Sequence, residues 1–379
     1  MLEFLKQLLD VDCKESLVRK PMAARLCVLE IFARKGPYLS YEEILNTYGK
    51  GSKGYLKKVI SYLEHKGFIE KINDKYRLTS KGYAITQRDP PCPTLFLAGA
   101  DAALRVAFES GVRPLNWLLS AGRYWNGREF VRSPDFEMAK SLAGQVFLDS
   151  GAQQFYSKIK GLRYPYSAKQ YVDFAARVGA DLVATLDLPL DILVPRGLSV
   201  GEGVKSTVDL SVEVVAAAEE LGLSAKIVPV LQGYDSPEQW LECLDLFKQH
   251  GVSPQKFRLW GLGSLCMAKS VKLVRSVVSE VKKALGDAAI HVFGVSMNSL
   301  RKIYNLIDSY DTSAWVYWAK MDGAALVWSG RRKAFIHLQA RDGRRYSTED
   351  LMEINMNSII RMHWDLCKIY CCDKYDLDK

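Results

Sequence analysis

The sequence has no run of about 18 apolar residues, the length a bilayer-crossing helix requires. Its first residues, MLEFLKQLLDVDCKE, place acids where a secretory leader would be basic, so the expectation is a cytoplasmic protein with no membrane partner. Cysteine is sparse and irregularly spaced, eight in 379 residues, which argues against a disulfide scaffold. No well-formed glycine-rich phosphate loop occurs, LWGLGSLC being the nearest, so a sugar-phosphate barrel enzyme is disfavoured. What is present is ordinary for a globular chain: 48% hydrophobic and 25% charged residues, enough to build a large core. The length suits a small domain joined to a barrel-sized one.

Charge separates the two. Residues 1–88 hold 17 Lys/Arg against 10 Asp/Glu, leaving 35 against 33 for the rest. A basic module on a nearly neutral body points to a polyanionic partner. Within it, residues 22–36 (MAARLCVLEIFARKG) show helical apolar spacing and stop at glycine. Ser40 is placed to cap a helix beginning YEEIL, and a third helix follows in KGYLKKVISYLEHKG. FIEKI-ND-KYRLT then reads as two strands around an Asn-Asp turn. Three helices and a hairpin give the order of a winged helix over residues 1–88. Its third helix and wing carry Lys53, Lys57, Lys58, Lys66, Lys71, Lys75 and Arg77 for nucleic-acid contact. The alternative use of such a domain is a protein-protein contact. QRDPPCPT, with three prolines in four positions, makes residues 89–94 a linker.

From residue 95 to 379, strand-like runs (TLFLAG, QVFLDSG, DLVATLDLP, KIVPVLQG, FRLWGLGS, IHVFGVS) alternate with amphipathic helices. SAKQYVDFAARVG starts at Ser167 and stops at Gly179, while SPEQ offers Ser236 and Gln239 as a capping box. Apolar strands alternating with helices mean a buried parallel sheet. The strand-end residues Asp149, Asp187, Gln232, Gly263 and Ser296 are spaced by 38, 45, 31 and 33 residues, one strand plus one helix each. That repetition favours an α/β fold of the (β/α)8 TIM-barrel type, followed by a C-terminal helical extension; a doubly wound sheet is the alternative. In such a barrel polar residues ending the strands share one mouth.

LDSGAQQF, DLVATLDLPLD, VPVLQG, LWGLGSLC, HVFGVS and IDSYDTSAWVYWA, in that order, resemble the motifs of the tRNA-guanine transglycosylase superfamily. The basic front module makes the chain most similar to its DNA 7-deazaguanine transglycosylase (DpdA-type) branch. The resemblance implies exchange of guanine in a polynucleotide, DNA being favoured, for a free 7-deazaguanine such as preQ0. It gives Asp311 the nucleophile's role and Asp149 the proton transfers, and it leaves Asp308 without a catalytic role. Asp187 would read the N1–H and amino edge of guanine. Gln232 and the backbone at Gly261 and Leu262 would read the opposite edge, Ser150 would support an aspartate or the base, and Phe293 would stack. The family often forms homodimers.

Three departures stand out. Gln153 replaces a common aromatic, with Phe155 or Phe293 as candidate substitutes. Archaeal tRNA enzymes of the family usually carry extra C-terminal domains, whereas this sequence runs about 60 residues past the barrel motifs. The usual zinc motif is also absent, because residues 316–350 hold no cysteine. No cofactor is therefore expected. His363, Cys367, Cys371 and Cys372 form the one remaining cluster, and packing accounts for them more simply than zinc. The alternative functions are exchange on tRNA and a non-catalytic DNA-binding regulator.

Overall fold

The computed structural model describes residues 28, 31, 38–48, 53–78, 93–99, 101–110, 115–131, 143–156, 164–266, 270–337 and 346–370. The chain divides into two compact units, one of Met1–Cys92 with Cys367–Lys379 and one of Pro93–Leu366. Apart from Val28 and Ile31, the first helix expected from the sequence lies outside the described residues, as does most of the expected linker.

The smaller unit contains strand β1 (Tyr38–Ser40), helices α1 (Tyr41–Tyr48) and α2 (Lys53–His65), and the hairpin β2 (Ile69–Ile72) and β3 (Lys75–Leu78). Ser40 and Glu43 form the reciprocal cap that starts α1: the Glu43 N–H donates to Ser40 Oγ, and Ser40 N–H donates to Glu43 Oε2 at 2.7 Å. Asn73 takes a positive φ of 53° at the hairpin turn, which asparagine tolerates. The strands pair antiparallel in the order β1-β3-β2. Leu56, Val59, Ile60 and Leu63 of α2 face a core with Ile44, Phe68 and Ile69. The opposite face exposes Lys53, Lys57 and Lys58.

The larger unit is a barrel. Its strands are β4 (Thr94–Ala98), β5 (Leu115–Ser120), β6 (Ala143–Asp149), β7 (Leu182–Ala184), β8 (Ile227–Val228), β9 (Val230–Leu231), β10 (Leu259–Leu262), β11 (Ala289–Val292) and β12 (Ser309–Thr312). All their pairings are parallel, and β12 returns to pair with β4. β8 and β9 are one barrel strand interrupted at Pro229, which has no N–H to give. β8 pairs with β7 and β9 with β10, so the eighth strand position closes the ring. Across the break Thr185 N–H donates to Val228 O, while Val230 N–H donates to Thr185 Oγ1, each at 3.0 Å. Alternate residues point inward: Phe96, Ala98, Leu118, Phe147, Ala184, Val228 and Val230 fill the interior.

Around the ring lie α3 (Asp101–Glu109), α4 (Ala152–Tyr156), α5 (Ala168–Val178), α6 (Leu190–Leu193), α7 (Val200–Glu220), α8 (Pro237–Gln249), α9 (Val271–Leu285), α10 (Met297–Ile303) and α11 (Ala314–Lys320). The hairpin β13 (Leu326–Ser329) and β14 (Ala334–His337) and helix α12 (Thr348–Tyr370) follow. α5 has the capping box of Ser167 with Gln170 and ends on Gly179 at φ 63°. The box expected at Ser236 does not form. Gln239 Oε1 instead accepts the N–H groups of Tyr234 and Asp235 at 2.8 and 3.0 Å, tying down the approaching loop. No helix among the described residues is long and apolar enough to cross a membrane.

Candidate active site

Strand parity decides what reaches the barrel mouth. On β6 the inward position after Phe147 is Asp149; on β12 it is Asp311; beyond β9 it is Gln232. Asp187 lies just past β7, and Phe293 just past β11. Parallel pairing puts all these ends on the same side of the ring. Asp149 lies within electrostatic reach of both Asp187 and Asp311 at this end of the ring.

The turn after β6 depends on Gly151, which sits at φ +81° with a would-be Cβ 2.5 Å from the backbone nitrogen of Gly122. Its N–H donates to Asp149 Oδ2 at 3.1 Å, aiming that carboxyl. Gly151→Ala is therefore expected to cost about 1–3 kcal/mol of stability, because a side chain there meets both a positive φ and the Gly122 backbone. Thermal melting checks this; an unchanged melting temperature would refute it.

Asp187 is 8% exposed and held from both sides. Ser150 Oγ donates to its Oδ1 at 2.7 Å, and Gln232 Nε2 donates to its Oδ2. Ser264 orients that amide: its Oγ accepts the Leu190 N–H at 2.8 Å and so donates its proton to Gln232 Oε1. Tyr164 completes the shell, donating to Asp187 O at 2.8 Å with its hydroxyl also 3.1 Å from Ser150 Oγ. Gly263 leaves room for the network, since a Cβ there would collide with the Gln232 amide. Burial raises the Asp187 carboxyl to about 6 although Ser150 and Gln232 stabilise its charge, and Asp191 raises it further. Burial likewise lifts Asp149 to about 7, helped by Asp187 and opposed by the Gly151 N–H.

Asp311 is 5% exposed on β12. Gly294 N–H donates to its Oδ1 at 2.9 Å, and His291 Nε2 approaches the same oxygen at 3.4 Å. His291 has no exposed surface and contacts Ser309 Oγ through Nδ1 at 2.9 Å. Asp308 lies at the opposite end of β12, where its Oδ2 accepts Lys282 Nζ at 2.6 Å and Ile290 N–H at 2.8 Å. The two aspartates of LIDSYDTSAW thus sit at opposite ends of one strand.

Phe293 is half-buried, its ring 4.4 Å from His291 and 5.6 Å from Phe147. Gly261 faces it, an added Cβ falling 2.5 Å from the Phe293 ring. Leu262 is buried, and its carbonyl accepts Phe293 N–H at 3.1 Å. Phe155 is buried against Tyr164 and Tyr166, turned into packing. Gln153 is exposed, as is Cys266. Ser296 caps α10 through Ser299 N–H.

His291, Ser264 and Tyr164 were not singled out in the sequence. His291 carried a usable signal, since strict alternation in IHVF puts it on the same inward face as Phe293. Ser264, 32 residues from Gln232, and Tyr164 in a loop carried none.

In the smaller unit a groove of about 530 Å³ is lined by Lys57, Lys58, Ser61, Tyr62 and His65. Lys75 is exposed, whereas Arg77 is engaged by Glu70, its Nε donating to Oε1 at 2.8 Å. His363 lies buried with Nδ1 at 3.0 Å from Tyr304 OH and 3.1 Å from Tyr310 OH. Burial lowers it to about 4, so the ring is a neutral acceptor between α12 and β12. Cys371 and Cys372 lie outside the described residues. Among the described residues no group of three or more His, Cys, Asp or Glu side chains is arranged to hold a metal ion.

The described residues form a parallel (β/α)8 barrel with buried acids and an oriented amide at its mouth, the end where barrel enzymes carry their active sites. The sequence model of DpdA, DeoxyPurine in DNA protein A, matches residues 141–354, more than half of the chain, and the chain belongs to that family. No curated protein matches. Among solved structures, the carboxyl transferase domain of Rhizobium etli pyruvate carboxylase with 3-bromopyruvate aligns at 12% identity and TM-score 0.39, over 75% of this chain and 48% of that one. The same domain with 3-hydroxypyruvate aligns at 12% and 0.38, over 74% and 48%. The chain spans about half the length of these structures, and a likeness this distant says nothing about chemistry.

Proposed function

We propose that the protein is a DNA-modifying transglycosylase that replaces guanine with a 7-deazaguanine such as preQ0 through a sugar ester on Asp311. The observation carrying this reading is the meeting of Asp149, Asp187 and Asp311 beside the oriented Gln232 amide. Exchange of a glycosidic base needs one carboxylate to attack C1′ and another to move a proton, as in retaining glycosidases. Asp311 takes the first role and Asp149 the second; a carboxyl near 7 holds a proton at neutral pH and can give it up.

Asp187 keeps lone pairs beyond those used by Ser150 and Gln232, free to accept the N1–H and amino group of a guanine edge. Gln232 keeps a second amide proton for the O6 edge, with the backbone of Gly261 and Leu262 beside it and Phe293 as the stacking face. Affinity for the polynucleotide comes from the smaller unit, read as a winged helix using Lys53, Lys57, Lys58 and Lys75, with the Arg77 charge partly offset by Glu70. A base enters such a mouth only after leaving its stack.

Incubating the protein with labelled guanine or preQ0 and either duplex DNA or tRNA tests the reading. Label retained in DNA supports it; label in tRNA alone moves the substrate to tRNA; binding of DNA without retention makes the protein a regulator. The pH profile adds a second check. Guanine reading needs Asp187 ionised and departure needs Asp149 protonated, so kcat/KM is expected to rise through about 6 and fall beyond about 7. A flat profile from pH 5 to 9 would contradict these assignments.

A further inference from the structure

We propose that His291 is a positioning residue that holds Asp311 by one oxygen and speeds its release as a leaving group. The inference rests on the transglycosylase reading, but its residues and its test are separate. His291 is enclosed in the barrel, with rings of Phe96, Phe147 and Phe293 at 5.8, 4.8 and 4.4 Å. No solvent reaches it, so its two nitrogens are satisfied only by Ser309 and Asp311. A carboxylate can only accept, so the neutral ring carries its proton on Nε2 and points it at Asp311 Oδ1. Nδ1 then accepts the Ser309 hydroxyl proton. Burial lowers the histidine, keeping this single-proton tautomer in place at neutral pH.

Gly294 N–H reaches the same Oδ1. Two donors on one oxygen fix the carboxylate plane and leave Oδ2 as the attacking atom. In the first half-reaction an Oδ2 lone pair forms the bond to C1′. The C1′–N9 pair leaves on guanine, which takes a proton from Asp149. In the second, the incoming base gives its N9 proton to Asp149 and bonds to C1′, and the C1′–Oδ2 pair returns to Asp311. A donor to Oδ1 binds the carboxylate more strongly than the ester. The His291 bond is therefore weakest in the intermediate and regained as the ester breaks, which favours the second half-reaction.

The test uses the full chain and duplex DNA. Protein–DNA adduct is formed without added base, chased with preQ0 and quenched into denaturant at intervals, for wild type and for His291→Phe, His291→Gln and His291→Asn. The expected result is unchanged DNA affinity, with adduct decay in His291→Phe slowed about 10- to 100-fold, the loss of one hydrogen bond to a charged group. The glutamine amide nitrogen reaches the Nε2 position and should recover most of the rate, whereas the asparagine amide mimics the Nδ1 end and should not. Should His291→Phe fail to fold, Ser309→Ala carries the test, because loss of the Nδ1 donor frees the wrong tautomer and slows decay severalfold. Decay at the wild-type rate in His291→Phe, or equal recovery by glutamine and asparagine, overturns the inference while an adduct in the wild type keeps the function. Absence of any wild-type adduct and any retained label overturns the function itself.

Discussion

Asp311→Asn is expected to abolish the protein–DNA adduct and lower base exchange by about 10⁴-fold or more, with DNA affinity nearly unchanged. The substitution is nearly isosteric. The asparagine carbonyl can still accept the Gly294 N–H that Asp311 Oδ1 accepts, so the mouth keeps its shape. What is lost is the nucleophile, because an amide neither attacks C1′ nor leaves from it. The proposed reading assigns DNA affinity to lysines such as Lys57 and Lys58, which line a groove of the smaller unit, and not to this atom. Denaturing electrophoresis of the trapped adduct, with filter binding in parallel, separates the two effects. An adduct surviving in this variant would move the nucleophile to Asp149. Asp308 is the weaker candidate, since it lies at the far end of β12 under Lys282.

The barrel was legible because its signals are local and repeated. Apolar runs with polar ends recur at the spacing of one strand and one helix, and α5 carries both of its boundary signals within the 13 residues from Ser167 to Gly179. Its place at the end of an apolar run marked Asp149, whereas Asp311 came only from the resemblance, and strand parity accounts for both once the ring is seen. The failures have a common cause as well. Ser236 looked like a cap, but Gln239 found two backbone donors in the incoming loop, a competition no spacing rule reveals. Phe155 looked like a stacking ring, yet the tyrosines at 164 and 166 claim it. Ser264 orients Gln232 from a backbone at φ 57°, a conformation unusual outside glycine and set by tertiary context. The wing arginine at 77 looked free for phosphate, and register brought Glu70 opposite it. Sequence carries the period of an element well and the partner of a side chain poorly.

Asp149→Asn should stabilise the protein and disable it. The acid has its carboxyl raised from 3.8 to about 7, first by burial and then by Asp187. A carboxyl raised on folding means that the native state binds the proton more tightly than the unfolded chain. Its contribution to stability is complete below pH 3.8 and is lost as pH rises through about 7. At pH 8 the wild type therefore holds a buried negative charge beside two others, while asparagine holds none. The expected gain is of order 2–4 kcal/mol at pH 8, raising the melting temperature by roughly 5–10 °C, and it should shrink towards zero near pH 4. Exchange should fall by about 10²- to 10⁴-fold, since asparagine neither gives nor takes the purine proton. Melting curves of both proteins between pH 4 and 8 decide the matter. A stability difference that stays constant across that range would mean Asp149 is not the strained acid of the site, and the proton transfer would then pass to Asp187, the other raised carboxyl at the mouth.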